Sequence, residues 1–120
     1  MTFDPVAAAM RYLDAVNDLD FAVIEAFYAE DAVYGSVKVG GLKGRDAIMA
    51  AFRTYFETYP DQQAVDELIE AVSPLAARAV WRLRATHSQT GEPLIRFGEE
   101  TITFNAEGKI VSVDVTDYKV

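Results

Sequence analysis

The hydrophobic period of this chain changes once, near Gln63, and that single change limits its fold more than any other feature. Before it, apolar residues recur at helical spacing; after it, they alternate every second residue, as in half-buried strands. Asp4-Pro5 suits a helix start, with Asp as N-cap and Pro at the first helical position. Val6, Met10, Leu13 and Val16 then form a buried stripe to about Asn17, with Tyr12 on its flank beside Ala8 and Ala9. A short second helix from about Asp20 buries Phe21, Ile24, Phe27 and Tyr28. Residues 32–36 read as a strand, and Gly40, Gly41 and Gly44 supply turns. A third helix over residues 45–59 presents Ile48, Phe52, Tyr55, Phe56 and Tyr59 on one side until Pro60 stops it.

Four strands are predicted beyond the switch, over residues 65–73, 77–88, 94–104 and 109–119. In the second of these, Ala79, Trp81, Leu83, Ala85 and His87 share one face, while Arg78, Arg82 and Arg84 share the other. In the third, Leu94, Arg96, Gly98, Glu100, Ile102 and Phe104 lie on one side. Helices first and strands afterwards, in one short chain, describe an α+β domain. Three N-terminal helices pack on one face of a strongly curved antiparallel sheet and close over an apolar cavity. Neither a linker nor an internal repeat divides residues 1–120, so one domain is expected.

Composition narrows the function. Nineteen acidic against eleven basic residues give a formal charge of -8, which repels phosphate backbones and anionic membranes, so neither nucleic acid nor membrane is an expected partner. The chain has no cysteine and one histidine, which rules out thiolate chemistry and a histidine-rich metal site. Met1-Thr2-Phe3-Asp4 has no basic and apolar regions of a signal peptide, and a cytoplasmic protein is the expectation.

Several polar residues fall on faces that should be apolar. Tyr12 is either a hydrogen-bond donor to a ligand or a buried tyrosine satisfied by the protein. Glu100 points inward if alternation holds, as a protonated donor, a general base or the partner of a cation; if Glu99 faces inward instead, Glu100 is a solvated carboxylate. Arg96, four residues away on the same face, lies roughly 13 Å from it by strand rise, too far for a direct pair. His87 is a further candidate, or a strand-end histidine beside the hairpin. Asp117 either points to the cavity mouth or ends the last strand in solvent. Ser36 has no nearby histidine and no nucleophile elbow, and is no nucleophile. Phe52, Phe56, Trp81, Ile102 and Val113 are expected to wall the cavity with Tyr12, Ser36 and Glu100.

The Arg11-Tyr12 pair, Glu30-Asp31-Ala32 entering the first strand, and the hairpin Phe104-Asn105-Ala106-Glu107-Gly108-Lys109-Ile110-Val111-Ser112 resemble the nuclear-transport-factor-2-like superfamily. This is also called the SnoaL-like or ketosteroid-isomerase-like family, with a cystatin-like cone fold. The resemblance covers essentially the whole chain and is nearest to bacterial ketosteroid isomerase. It implies that Tyr12 and Glu100 stand where that family places the tyrosine and protonated aspartic acid of its oxyanion hole, with the acid lengthened by a methylene. It also implies that Ser36 occupies the position of the usual aspartate base, a departure that removes the expected proton acceptor.

The expected function is accordingly binding of a small, mainly apolar ligand bearing a carbonyl or hydroxyl. Catalysis would be an isomerisation or polyketide-cyclase-like reaction by proton transfer next to that carbonyl. The resemblance implies Tyr12 and Glu100 as catalytic residues, with His87 as a further candidate, and neither metal nor organic cofactor. The alternative is a non-catalytic ligand-binding or dimeric interaction module. A hydrolase resembling limonene epoxide hydrolase needs an Asp-Arg-Asp set that Arg96 and Glu100 do not reproduce. The family also implies a homodimer through the outer sheet face.

Overall fold

The computed structural model describes residues 2–36 and 40–118, and the side chains of all of these except Ser36 and Gly40. Helix α1 spans Pro5–Asn17, and the Asp4 carboxylate caps it by accepting from the backbone N–H groups of Val6 and Ala7 at 3.0 and 3.1 Å. Its buried face differs from the predicted stripe. Ala8, Ala9, Tyr12 and Leu13 face the sheet, whereas Met10 is 51% exposed. Two alanines let the helix approach the sheet closely, and that rotation carries Tyr12 from the flank to the centre of the core.

Helix α2 (Phe21–Phe27) leads directly into β1 (Tyr28–Ser36), a longer strand than predicted. The glycine segment, expected to hold turns alone, contains β2 (Gly40–Lys43), paired antiparallel with β1. Gly44 then adopts φ 95°, a conformation open chiefly to glycine, and its N–H donates to the Ala32 carbonyl at 2.7 Å. Helix α3 (Arg45–Thr58) starts from that junction and ends ahead of Pro60. The remaining strands are β3 (Gln63–Ser73), β4 (Ala76–Thr86), β5 (Pro93–Phe104) and β6 (Ile110–Asp117).

The six strands are ordered β2-β1-β6-β5-β4-β3. Strands β3 to β6 form an antiparallel meander, but β1 runs parallel to β6, so the sheet is mixed. The α+β class, with three helices packed on the sheet, is as expected. Asn17, the last residue of α1, clamps that helix to β3: its side chain donates to the Ala64 carbonyl at 2.9 Å and accepts from the Ala64 N–H at 3.0 Å. The closed part of the core is filled by Ala8, Ala9, Ala77, Ile102, Phe104 and Val113. Toward Asn17 the helices and sheet diverge.

Candidate functional site

Where they diverge lies a cavity of about 80 Å³, walled by α1, α3 and the inner face of the sheet. Most of its wall is aliphatic or aromatic, and its polar groups arrive from four different elements. Tyr12 comes from α1, fully buried; its hydroxyl shares a short hydrogen bond with the hydroxyl of Tyr28, at the start of β1. Burial, reinforced by the neighbouring Tyr28, raises the Tyr12 pKa well above the ordinary tyrosine range, so the phenol stays protonated as a donor. Tyr34, on β1, lines the cavity and is likewise held neutral, chiefly by burial.

Glu100 enters from β5. Alternation along that strand turns Glu99 outward and Glu100 inward, where it is 8% exposed. Desolvation first, and the charge of Asp66 second, push its pKa up to about 7, against the opposing pull of Arg96 and the Trp81 indole. Trp81 itself is 5% exposed and lines the cavity, and among the described residues its Nε1 has no hydrogen-bond partner. It lies opposite Gly98 on β5, where any Cβ would come within 3.0 Å of the indole ring. Arg96 lies over the Trp81 ring, its guanidinium carbon 5.3 Å from the centroid. That guanidinium also grips Asp117 through two hydrogen bonds of 3.0 and 2.6 Å. Asp117 is therefore an ion-pair partner rather than a solvated strand end, and Arg96 is neutralised by β6 rather than by Glu100.

Asp66 is a cavity residue that sequence reasoning missed. Plain alternation along β3 places it on the face opposite Val65 and Ile69. The β3–β4 register shifts between Asp66 and Leu68, however, with Asp66 opposite Trp81 and Leu68 opposite Val80. The additional residue, Glu67, lets both Asp66 and Ile69 face inward. Burial, with the charge of Asp14 on α1 adding to it, raises the Asp66 pKa.

The structure brings together Tyr12, Phe52, Phe56, Trp81 and Glu100 around the cavity. Ile102 and Val113 do not line it. They pair with each other across β5 and β6, one step along from Glu100, and belong to the closed core that also holds Ala8 and Ala9. His87 also lies outside the cavity wall: its Nδ1 accepts from the backbone of Gln89 and Thr90 at 3.2 and 3.3 Å, shaping the β4–β5 turn. The Ser36 side chain lies outside the described residues. Among the described residues, no group of three or more His, Cys, Asp or Glu side chains is placed to hold a metal ion. No described helix is long and apolar enough to cross a membrane.

A helical cover on a curved sheet, with a phenol, a carboxyl of raised pKa and an indole around an apolar hollow, defines a cone-shaped pocket domain. The family model described as SnoaL-like domain matches residues 9–113, and the chain belongs to that family. It is 31% identical over 114 residues to a steroid Delta-isomerase of Nocardioides simplex, covering 94% of this chain and 89% of that protein. Among solved structures, a Mycobacterium tuberculosis protein in complex with estradiol-17β-hemisuccinate superposes with a TM-score of 0.81 at 22% identity, covering 97% of this chain and 93% of that one. A Delta 5-3-ketosteroid isomerase from Mycobacterium sp. gives 0.80 at 21% identity, covering 97% and 92%. At these identities the structural likeness establishes the fold, which is the nuclear-transport-factor-2-like cone.

Proposed function

We propose that this protein binds the carbonyl or hydroxyl oxygen of a small, mainly apolar ligand through Tyr12 and Glu100 and transfers a proton at the carbon next to that carbonyl. The observation that carries this reading is the convergence of a protonated phenol and a carboxyl whose pKa is pushed up to about 7 on one apolar cavity. Near pH 7 a large fraction of Glu100 is a neutral acid and donates a hydrogen bond. When a neighbouring C–H bond is broken, negative charge builds on the ligand oxygen, and two donors already aimed at it lower that barrier. The likeness to the Nocardioides simplex steroid Delta-isomerase supports a steroid as the ligand class.

The cavity volume sets a limit on size. At about 80 Å³ it is well below the roughly 300 Å³ at the lower end of ligand pockets. In the observed conformation it admits one ring, with the rest of a larger ligand lying in the mouth. Ser36 at the position where the resemblance expects the base favours a second reading, in which the hollow binds without turnover. A homodimer through the outer sheet face belongs to the proposal, supported by the exposed Val65 and Ile95 there, and sedimentation velocity tests it.

The function is tested by incubating the protein with a β,γ-unsaturated ketosteroid and following conjugated enone absorbance. Turnover is expected, with Tyr12→Phe lowering kcat by about a hundredfold to a thousandfold, the usual cost of one such donor. Saturable binding without turnover would leave the binding-only reading standing.

A further inference from the structure

The proposed reaction needs a proton acceptor, and a serine at position 36 offers a hydroxyl that cannot take a proton from carbon near neutral pH. A second carboxyl does reach the cavity. The β3 bulge turns Asp66 onto the inner face, opposite Trp81, and Trp81 in turn faces Glu100 closely enough to influence its charge. The buried indole N–H bears on Glu100 and lowers its pKa without closing a hydrogen bond to any described residue. Asp66 is half-buried, whereas Glu100 is almost fully enclosed. Two carboxyls this near each other do not both ionise readily, and the more enclosed one keeps the proton. The environment thus separates their roles, with Glu100 as the acid and Asp66 as the carboxylate.

Resting on the reading of the cavity given above, we propose that Asp66 is the catalytic base. Its carboxylate takes the proton from the carbon beside the ligand carbonyl, whose C–H electron pair becomes the enolate double bond as charge moves to the oxygen held by Tyr12 and Glu100. From a β,γ-unsaturated ketone the enolate is a conjugated dienolate; the carboxylic acid so formed returns the same proton to its γ-carbon, the acid O–H bond breaks, the double bond shifts into conjugation and the carbonyl is restored. Atoms balance within the ligand, and no oxidant, reductant or second substrate is consumed.

The charged and titratable groups around this pair are Asp14 from α1, Tyr12 and Tyr34 from α1 and β1, Tyr55 from α3, and the Arg96–Asp117 pair from β5 and β6. With Tyr12 and Tyr34 held neutral by burial, an acidic limb in the rate reports ionisation of Asp66 and an alkaline limb that of Glu100.

The experiment measures ketosteroid turnover and estradiol binding, by quenching of the single tryptophan, for wild type, Asp66→Asn and Asp66→Glu. Asp66→Asn is expected to lower kcat by about a hundredfold or more with estradiol affinity and circular dichroism unchanged. Asp66→Glu is expected to recover part of the loss, and Glu100→Gln to keep the acidic limb that Asp66→Asn abolishes. If Asp66→Asn retains kcat within tenfold of wild type, the assignment of the base is wrong while the proton-transfer reading survives. A wild-type protein that binds estradiol and turns over no ketosteroid overturns the proton-transfer reading itself, and the base with it.

Discussion

Glu99 and Glu100 are neighbours in sequence and opposites in environment. Glu99 lies on the outer face of the sheet, where Arg78 and the Tyr118 hydroxyl bond it and hold its pKa below the ordinary glutamate value. Glu100 lies on the inner face, where burial and the Asp66 charge push its pKa up to about 7. Both are carboxyls on one strand, a single residue apart, so the difference comes from the two sides of the sheet. The outer side is wet and supplies cations; the inner side is apolar, and its nearest arginine is already committed to Asp117. A sheet one residue thick thus separates a structural anion from a chemical acid.

The largest test of that contrast is the pH dependence of stability. In the unfolded chain Glu100 titrates near 4.5, and in the fold near 7. Between those values the native state holds a proton that the unfolded state has lost, so stability falls as pH rises through the window and levels off above it. At 1.36 kcal/mol per unit the full loss is about 3 kcal/mol. Glu100→Gln is expected to remove it, making the variant more stable than wild type at pH 8 and the difference small at pH 4.5. Urea denaturation of both proteins at the two pH values checks this, and an unchanged difference would mean that Glu100 is solvated.

A smaller effect is expected at Gly98, which keeps the inner side open. Its Cβ in Gly98→Ala would come 2.5 Å from the Thr116 carbonyl oxygen and 3.0 Å from the Trp81 ring. The strand must shift or the indole must tilt, at a cost of about 1–3 kcal/mol. Thermal denaturation reads the loss, and the emission of the one tryptophan reports whether the ring has moved. The smallest effect belongs to the outer side. Glu99→Gln removes a partner of Arg78 in a solvent-screened setting, so its change in melting temperature is expected to be the least of the three and to shrink further with salt.

The same contrast explains what could be read from the residues alone. Alternation along β5 is uninterrupted, so the inward direction of Glu100 follows from the pattern around Ile102 and Phe104. Alternation along β3 is interrupted, and Asp66 was invisible because a bulge depends on the partner strand rather than on its own residues. Tyr12 was recognisable by its neighbours, but its central position depends on how closely Ala8 and Ala9 let α1 approach the sheet. Ile102 and Val113 face inward but lie in the closed core, since facing inward does not say whether a helix or a void lies opposite. His87 bonds the backbone of its own turn, a local arrangement that strand periodicity does not report. The parallel pairing of β1 with β6 joins distant residues and leaves no local signature.

That last pairing has a consequence for how the chain reaches its native state. The hairpin of β1 and β2, though made early, has its other neighbour in residues 110–117. Until those residues have left the ribosome, the inner edge of β1 has no strand to join and the cone has no complete wall. Folding therefore waits on residues 110–117, a long loop closure that slows the search. In the interval β1 exposes an unpaired edge, which is a site for association with another nascent copy.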